Sequence, residues 1–130
     1  MVKVLVVDDR VSTARLLGVV LRYWGHEVVL SHEAQLALDM LDEYKPDVMF
    51  VQMLMPVMDG DEIATQVRRH PQRPKLIGIN RSAVRKPVAR SKFDLMISKP
   101  IRLAEVPTIF SALGITADPQ KTATESAVGA

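Results

Sequence analysis

The sequence contains no cysteine among its 130 residues. Disulfide bonds, thiolate zinc sites and a cysteine nucleophile are therefore excluded, a composition that fits a cytosolic protein. No run approaches the roughly 18 consecutive apolar residues of a membrane span, so no such span is predicted. Residues 1–7 hold an apolar run too short for a secretory signal, and this predicts a mature cytoplasmic start.

Aromatic residues are scarce, at 5% of the chain, and the formal net charge is only +2. A charge this small does not by itself indicate nucleic-acid binding, and the sequence offers neither an aromatic platform nor a recognition-helix motif. The three histidines, His26, His32 and His70, lack the spacing of metal ligands. We therefore predict no interaction with nucleic acid or with a membrane.

Short apolar runs alternate along the chain with segments of helical periodicity. The runs predict five strands, at residues 2–7, 26–30, 48–51, 76–79 and 95–97. Apolar spacings of three and four predict four helices with these buried stripes: Val11, Ala14, Leu17, Leu21, Trp24; Ala37, Met40, Leu41, Tyr44; Ile63, Ala64, Val67; and Leu103, Val106, Phe110, Leu113. A weaker helix is predicted at 82–91, which Pro87 interrupts.

This alternation predicts an α/β fold in a single domain, a doubly wound (βα)5 parallel sheet of the flavodoxin-like order 2-1-3-4-5. The domain is expected to span residues 1–114. Residues 115–130 are rich in Thr, Ala and Ser without periodicity and predict a flexible tail. At the carboxyl ends of the strands, the fold brings together five polar side chains: Asp8, Asp9, Gln52, Asn80 and Lys99.

The segment Asp47–Gly60 organises the chain. Its apolar run ends at Gln52, and a Met-Pro pair and the turn Met58-Asp59-Gly60 follow. With Asp8-Asp9 and Lys99-Pro100, this pattern resembles the response-regulator receiver domains over roughly residues 1–114. In that family the third strand ends in an Asp that accepts a phosphoryl group, whereas this chain has Gln52 there.

The resemblance implies roles for further residues. Asp8, Asp9 and the Leu54 carbonyl match the family's Mg²⁺ ligands, and Lys99 matches the lysine that grips the phosphoryl group, before a cis peptide at Pro100. Three positions depart from the family besides Gln52. Asn80 stands at the Thr or Ser switch position, Met96 at the aromatic switch position, and Arg81 where a small residue leaves the pocket open.

Gln52 changes the expected chemistry, because a neutral amide oxygen cannot attack phosphorus to give an acyl phosphate. Asp8, Asp9 and Lys99 together carry a charge of −1, so Mg²⁺ is expected to be weakly bound or absent, and no cofactor is required. The longer Gln52 side chain is expected to hydrogen-bond Lys99 or the acid pair. We predict a protein of two-component signalling that is not an enzyme, a phosphorylation-independent module that binds a histidine kinase or an output protein.

Several alternatives stay open at this point. The chain could be an ordinary receiver whose acceptor was replaced, with the turn residue Asp59 as a remote alternative acceptor, and it could form a homodimer. A small Mg²⁺-dependent phosphohydrolase that uses Asp8 or Asp9 as its nucleophile is disfavoured. Enzymes of that kind, which are similar to the haloacid dehalogenases, separate their two acids by one residue, whereas Asp8 and Asp9 are adjacent. A basic stretch is either a solvated face or a docking surface for an acidic partner: Arg81, Arg85, Lys86, Arg90 and Lys92.

Overall fold

The computed structural model describes residues 2–80 and 92–115. These ranges contain, in order, β1 (Lys3–Val7), α1 (Val11–Tyr23), β2 (Glu27–Ser31), α2 (Ala34–Tyr44), β3 (Val48–Gln52), α3 (Gly60–Arg69), β4 (Lys75–Asn80), β5 (Leu95–Ser98), a 3-10 turn (Leu103–Glu105) and α4 (Val106–Ala112). The strands form one parallel sheet in the order β2-β1-β3-β4-β5. The predicted fold class and strand order are confirmed.

The sheet is buried on both faces, which explains why its central strands are apolar without alternation. Successive side chains of a strand point to opposite faces, so each strand feeds two cores. On one face, Val4, Val6 and Phe50 pack with α1 and α4. On the other, Leu5 and Met49 pack with α2 and α3. The single slab between two helical layers places all the βα loops at one edge.

α1 and α2 are each followed by a residue in the left-handed backbone conformation. Gly25 adopts φ 85°, and its N–H donates to the Arg22 carbonyl at 2.9 Å, so a left-handed glycine closes α1. α2 ends at Tyr44. The next residue, Lys45, is also left-handed, with φ 51°, and it directly precedes Pro46. Both helices therefore stop where the chain must turn into the next strand.

Two residues of the predicted buried stripes are exposed instead. Val11 is 45% exposed because it opens α1 immediately beyond the carboxyl end of β1, where the first turn lies at the rim of the sheet. Leu103 is 41% exposed because it belongs to the 3-10 turn before α4, so the helical phase does not apply to it. Its carbonyl accepts a hydrogen bond from Trp24 Nε1 at 2.8 Å, so the contact with α1 is polar.

Some predictions fall outside the described residues: the helix at 82–91, the tail beyond residue 115, and the basic residues Arg81, Arg85, Lys86 and Arg90. Pro107 lies in the first turn of α4, where a missing backbone N–H costs no helical hydrogen bond. Within residues 2–80 and 92–115, no helix is both long enough and apolar enough to cross a membrane.

The turn residue Asp59 caps α3. Its carboxylate Oδ1 accepts a hydrogen bond from the Glu62 N–H at 3.0 Å. Asp59→Ala should lower the free energy of unfolding by about 1 kcal/mol, measured by urea denaturation, because a first-turn N–H loses its acceptor. Glu33 is the matched control: it occupies the same position before α2 without a side-chain capping bond, so Glu33→Ala should change stability by less than about 0.5 kcal/mol. Equal losses in the two variants would contradict the capping role.

Candidate functional site

The register of the sheet assembles the polar residues that follow its strands. Val7 pairs with Val51, which sets Asp8 and Gln52 at the same level at the ends of β1 and β3. On the other side of β3, Asn80 pairs with Ser98, and the Lys99 N–H donates to the Asn80 carbonyl at 3.0 Å. The register therefore places Asp8, Gln52, Asn80 and Lys99 together at the carboxyl edge of the sheet.

Asp8 lies at this carboxyl edge and is only 2% exposed. Its Oδ2 accepts hydrogen bonds from Lys99 Nζ at 2.7 Å and from Thr13 Oγ1 at 2.6 Å, and its Oδ1 accepts one from the Arg10 N–H at 2.9 Å. The Asp8 carbonyl contacts His32 Nδ1 at 2.9 Å. Within the described residues the carboxylate thus has three donors, one of them a cation that lies 91 residues away in the sequence.

These partners determine the ionisation of Asp8. Burial alone would raise the pKa of the carboxyl group, because it penalises the charged form. The hydrogen bonds from Lys99, Thr13 and the Arg10 N–H outweigh burial, and they hold the pKa of Asp8 below its usual range. Asp8 and Lys99 therefore form a charged, largely buried ion pair, with side-chain exposures of 3% and 19%.

Gln52 is completely buried, yet neither its amide nitrogen nor its amide oxygen has a hydrogen-bond partner among residues 2–80 and 92–115. The expectation that this amide would hydrogen-bond Lys99 or the acid pair is wrong. Lys99 instead donates to Asp8, because a carboxylate attracts an ammonium group more strongly than a neutral amide does. The amide therefore occupies the corner of the pocket as a desolvated polar group.

The donor set is a poor match for Mg²⁺, which prefers carboxylate and water oxygens in a regular octahedron. Both oxygens of Asp8 are already engaged, and Lys99 neutralises its charge. Of the acid pair, Asp9 Oδ1 is buried and has no hydrogen-bond partner among the described residues, so this oxygen is not engaged as those of Asp8 are. Nowhere in residues 2–80 and 92–115 do three or more His, Asp or Glu side chains group as metal ligands.

The remaining predicted site residues lie on β4, on β5 or beside them. Asn80 ends β4 and is partly buried, and Arg81 lies outside the described residues. Met96 packs with Met53 over the Cα of Gly78, where a side-chain β-carbon would clash with both sulfur atoms. The Lys99–Pro100 peptide bond is cis, as the resemblance implies. Met96 is thus part of the packing against the sheet.

Sequence reasoning missed two neighbours of Asp8. Thr13 lies in the first turn of α1, and its place five residues after Asp8 was the available signal. His32 follows β2, and only the pairing of β1 with β2 could have placed it beside Asp8. The sequence also did not predict the conformation of the loop after β3. Val57 is fully exposed and has φ 70°. The Met58 N–H donates a hydrogen bond to the Pro56 carbonyl, so Val57 is the central residue of a tight γ-turn.

Curated proteins similar to this chain are transcriptional and response regulators. Transcriptional regulatory protein TrcR of Mycobacterium tuberculosis is 32% identical over 108 residues, which cover 81% of this chain and 42% of that protein. Response regulator MprA of the same organism is 33% identical over 108 residues, or 81% of this chain and 47% of that protein. The chain spans less than half the length of these relatives.

Solved structures agree on the fold. A CheY-like response regulator receiver domain from Methylobacillus flagellatus superposes with a TM-score of 0.78 at 22% identity, over 86% of this chain and 98% of that one. Chemotaxis protein CheY4 of Vibrio cholerae gives a TM-score of 0.76 at 24% identity, over 85% and 97%.

The sequence pattern described as "Response regulator receiver domain" matches residues 4–111, which is most of the chain. Together with the sheet order and the Asp8–Lys99 pair at its carboxyl edge, this match establishes the family. The chain belongs to the response regulator receiver domains, the receiving modules of two-component signalling.

Proposed function

We propose that this chain is a receiver that works without phosphorylation, as a protein-interaction module that a histidine kinase or an output protein of a two-component pathway recognises. The observation that carries the proposal is the buried, neutral Gln52 inside an otherwise family-like frame of Asp8, Asp9 and Lys99. An amide cannot become an acyl phosphate. A nucleophile would in addition have to be reachable, and Gln52 is fully buried.

The ion pair supports the same proposal. The resemblance implies that, in the family, this lysine binds the transferred phosphoryl group. Here the Lys99 ammonium is committed to Asp8 at 2.7 Å, and both groups are desolvated. Moving Lys99 toward an incoming phosphate would take the cation away from the Asp8 carboxylate and leave it the neutral donors Thr13 and the Arg10 N–H. The pair therefore favours one state of the pocket over a switched one.

The test is incubation with Mg²⁺ and acetyl phosphate, followed by intact-mass measurement. We expect no mass increase. A stoichiometric, base-labile phosphoryl adduct would overturn the proposal. Asp59→Asn then identifies the acceptor: loss of the adduct in that variant would assign it to the turn residue that caps α3.

The Gln52→Asp variant separates this proposal from the alternative of an ordinary receiver that has lost only its acceptor. Full, Mg²⁺-dependent phosphorylation of Gln52→Asp would favour that alternative, because it would show that the rest of the pocket still works. We expect recovery in part at most, since Asn80 and Arg81 also depart from the family pattern. Gln52→Asn is the matched control, which should stay unphosphorylated because it changes the length of the side chain without adding a carboxylate.

A further inference from the structure

A groove lies between the start of α2 and the loop after β3, in the helical layer on the face of the sheet opposite α1 and α4. Its cavity measures about 560 Å³ and is lined by residues 32–35 on one side and 55–58 on the other. Protein pockets that take small apolar groups measure about 300 to 1,000 Å³. The cavity therefore has room for one or two large apolar side chains of a ligand.

Apolar side chains line this groove and project beside it. Met55 and Met58 are partly buried, because they pack against the core under α2 and α3, and both line the cavity. The thioether side chain is flexible and polarisable, so it adapts to apolar groups of different shapes. Val57 lies between the two methionines in the sequence and is fully exposed, and Leu36 of α2 is 52% exposed. The groove thus combines an apolar lining with exposed apolar side chains at its rim.

Val57 has a backbone conformation that β-branched residues rarely adopt, with φ 70°. It is the central residue of the γ-turn that the Met58 N–H closes with the Pro56 carbonyl at 2.8 Å, and a γ-turn with positive φ is strained. Packing of the Val57 side chain does not offset this strain, because that side chain is fully exposed. A strained residue that presents its side chain to solvent favours a role in binding over a role in the fold.

The two segments that form the groove carry charge of one sign. Residues 31–44 and 53–67 contain seven acidic residues and no lysine or arginine, although the whole chain has a net charge of +2. Two of the seven are paired with basic side chains outside these segments: Asp61 with Lys92, and Asp42 with His70. Glu33 is exposed, lines the cavity and makes no side-chain capping bond to α2. The local charge therefore disfavours an anionic ligand and favours a basic one.

We infer that this groove docks a short linear segment of a partner protein, in which one or two large apolar side chains are flanked by lysine or arginine. The apolar side chains enter the cavity, and the basic flanks face the acidic segments around it, whose charge also steers the approach. The inference names the partner class of the interaction module and rests on that proposed function.

A second copy of this chain fits the groove less well than such a segment. Helix α1 carries Arg15 and Arg22 and no acidic residue, so it is the described helix of a second copy whose charge would suit the groove. α1 and the groove lie on opposite faces of the sheet. A head-to-tail contact between opposite faces extends into open chains and does not close into a dimer.

The probe is a designed peptide of about ten residues with two central leucines and lysines on both sides. One counterpart carries glutamate in place of every lysine, and a second keeps the lysines but carries alanine in place of both leucines. Binding to the full chain is measured by fluorescence anisotropy, and amide chemical shifts locate it. We expect the lysine–leucine peptide to bind about tenfold more tightly than either counterpart, since each lacks one of the two contacts. The shifts should fall on residues 32–36 and 54–59.

A matched pair of variants tests the apolar anchor. Val57→Asn should weaken binding of the lysine–leucine peptide about fivefold, because it removes the exposed apolar side chain. Val19→Asn is the control, the same change at a 62% exposed valine on α1, and it should alter binding less than about twofold. Asparagine adopts positive φ more readily than valine, so Val57→Asn should not lower the melting temperature. Weaker binding in that variant would then report on the surface and not on the fold.

A second matched pair tests the charge. Glu33→Lys should narrow or reverse the preference for the lysine–leucine peptide over its glutamate counterpart. Glu27→Lys makes the same change in net charge at the first residue of β2, which lies at the opposite edge of the sheet, and it should leave that preference unchanged. Should Val57→Asn fail to fold, Glu33→Lys alone decides the charge preference.

Three outcomes would overturn the inference: equal binding of the lysine–leucine peptide and either counterpart, shifts located away from the groove, or equal effects of the two variants within either pair. Self-association in sedimentation that Glu33→Lys abolishes would also overturn it, because the groove would then serve a second copy of the chain. These readouts do not depend on the acetyl phosphate experiment. A failure of the docking groove and a failure of the phosphorylation-independent role can therefore be told apart.

Discussion

Lys99→Met is expected to lower the free energy of unfolding by about 3 kcal/mol at neutral pH, because it leaves the buried Asp8 carboxylate without its cation. Asp8 would keep its hydrogen bonds from Thr13 and the Arg10 N–H, but these donors bring no full charge into the pocket. Methionine retains most of the apolar stem of the lysine, so the loss reports on charge rather than on packing. Urea denaturation followed by circular dichroism measures it.

The matched control is Lys92→Met, which breaks the ion pair between Lys92 Nζ and Asp61 Oδ2 at 3.0 Å. Those side chains are 32% and 44% exposed, so water screens them, and the loss should stay below about 1 kcal/mol. Similar losses in the two variants would contradict the view that Asp8 depends on Lys99.

The loss in Lys99→Met should also depend on pH. The folded-state pKa of Asp8 is depressed, since hydrogen bonds from Lys99, Thr13 and Arg10 outweigh burial. A carboxyl of this kind adds stability above its unfolded pKa of about 3.9, and the gain is lost as pH falls through the folded pKa. The difference in the free energy of unfolding between wild type and Lys99→Met should therefore be largest at neutral pH and should decrease below about pH 4. Asp9 and His32, the other titratable groups beside Asp8, are present in both proteins.

Gln52→Met is expected to raise the free energy of unfolding by about 2 kcal/mol. The wild-type amide is fully buried, and neither of its polar atoms has a partner in the part of the chain that the structure describes. Such a situation costs roughly 1–3 kcal/mol for each unsatisfied group. Methionine is close to glutamine in length and volume, so the substitution removes the polar atoms while it keeps the packing. Thermal and urea unfolding measure the gain.

Gln72 provides the comparison for this second substitution. It lies exposed in the loop between α3 and β4, and Gln72→Met should change stability by less than about 0.5 kcal/mol. A loss of stability in Gln52→Met would show that the amide is hydrogen-bonded in solution, and the account of a desolvated, unpartnered Gln52 would then be wrong.

Much of the architecture follows from local patterns. Strands and helices are predicted by patterns among neighbouring residues: the apolar runs of β1, β3 and β4, and the apolar spacing within α1, α2 and α3. The alternation of strands and helices can therefore be predicted from the sequence alone. The motif from Gln52 to Gly60, with Asp8-Asp9 and Lys99-Pro100, indicates the family and its departure at the acceptor position. These features need only the order of residues in the chain.

Which side chains pair with one another inside the fold can be known only from the tertiary structure. Lys99 and Asp8 are 91 residues apart, and no sequence pattern says whether the ammonium group chooses that carboxylate or the Gln52 amide. Periodicity marks the buried stripe of α1, but the exposure of Leu16, Val19 and Tyr23 on its other side depends on what packs nearby in the fold.

The sequence by itself therefore determined the βα order, the family and the loss of the acceptor carboxylate. The tertiary structure decided the ion pair between Asp8 and Lys99, the burial of the Gln52 amide without a partner among the described residues, and the exposure of Leu16 and Val19 on α1. The physical reason is that periodicity and turn chemistry act between near neighbours, whereas desolvation and charge pairing act between groups that only the folded sheet brings together.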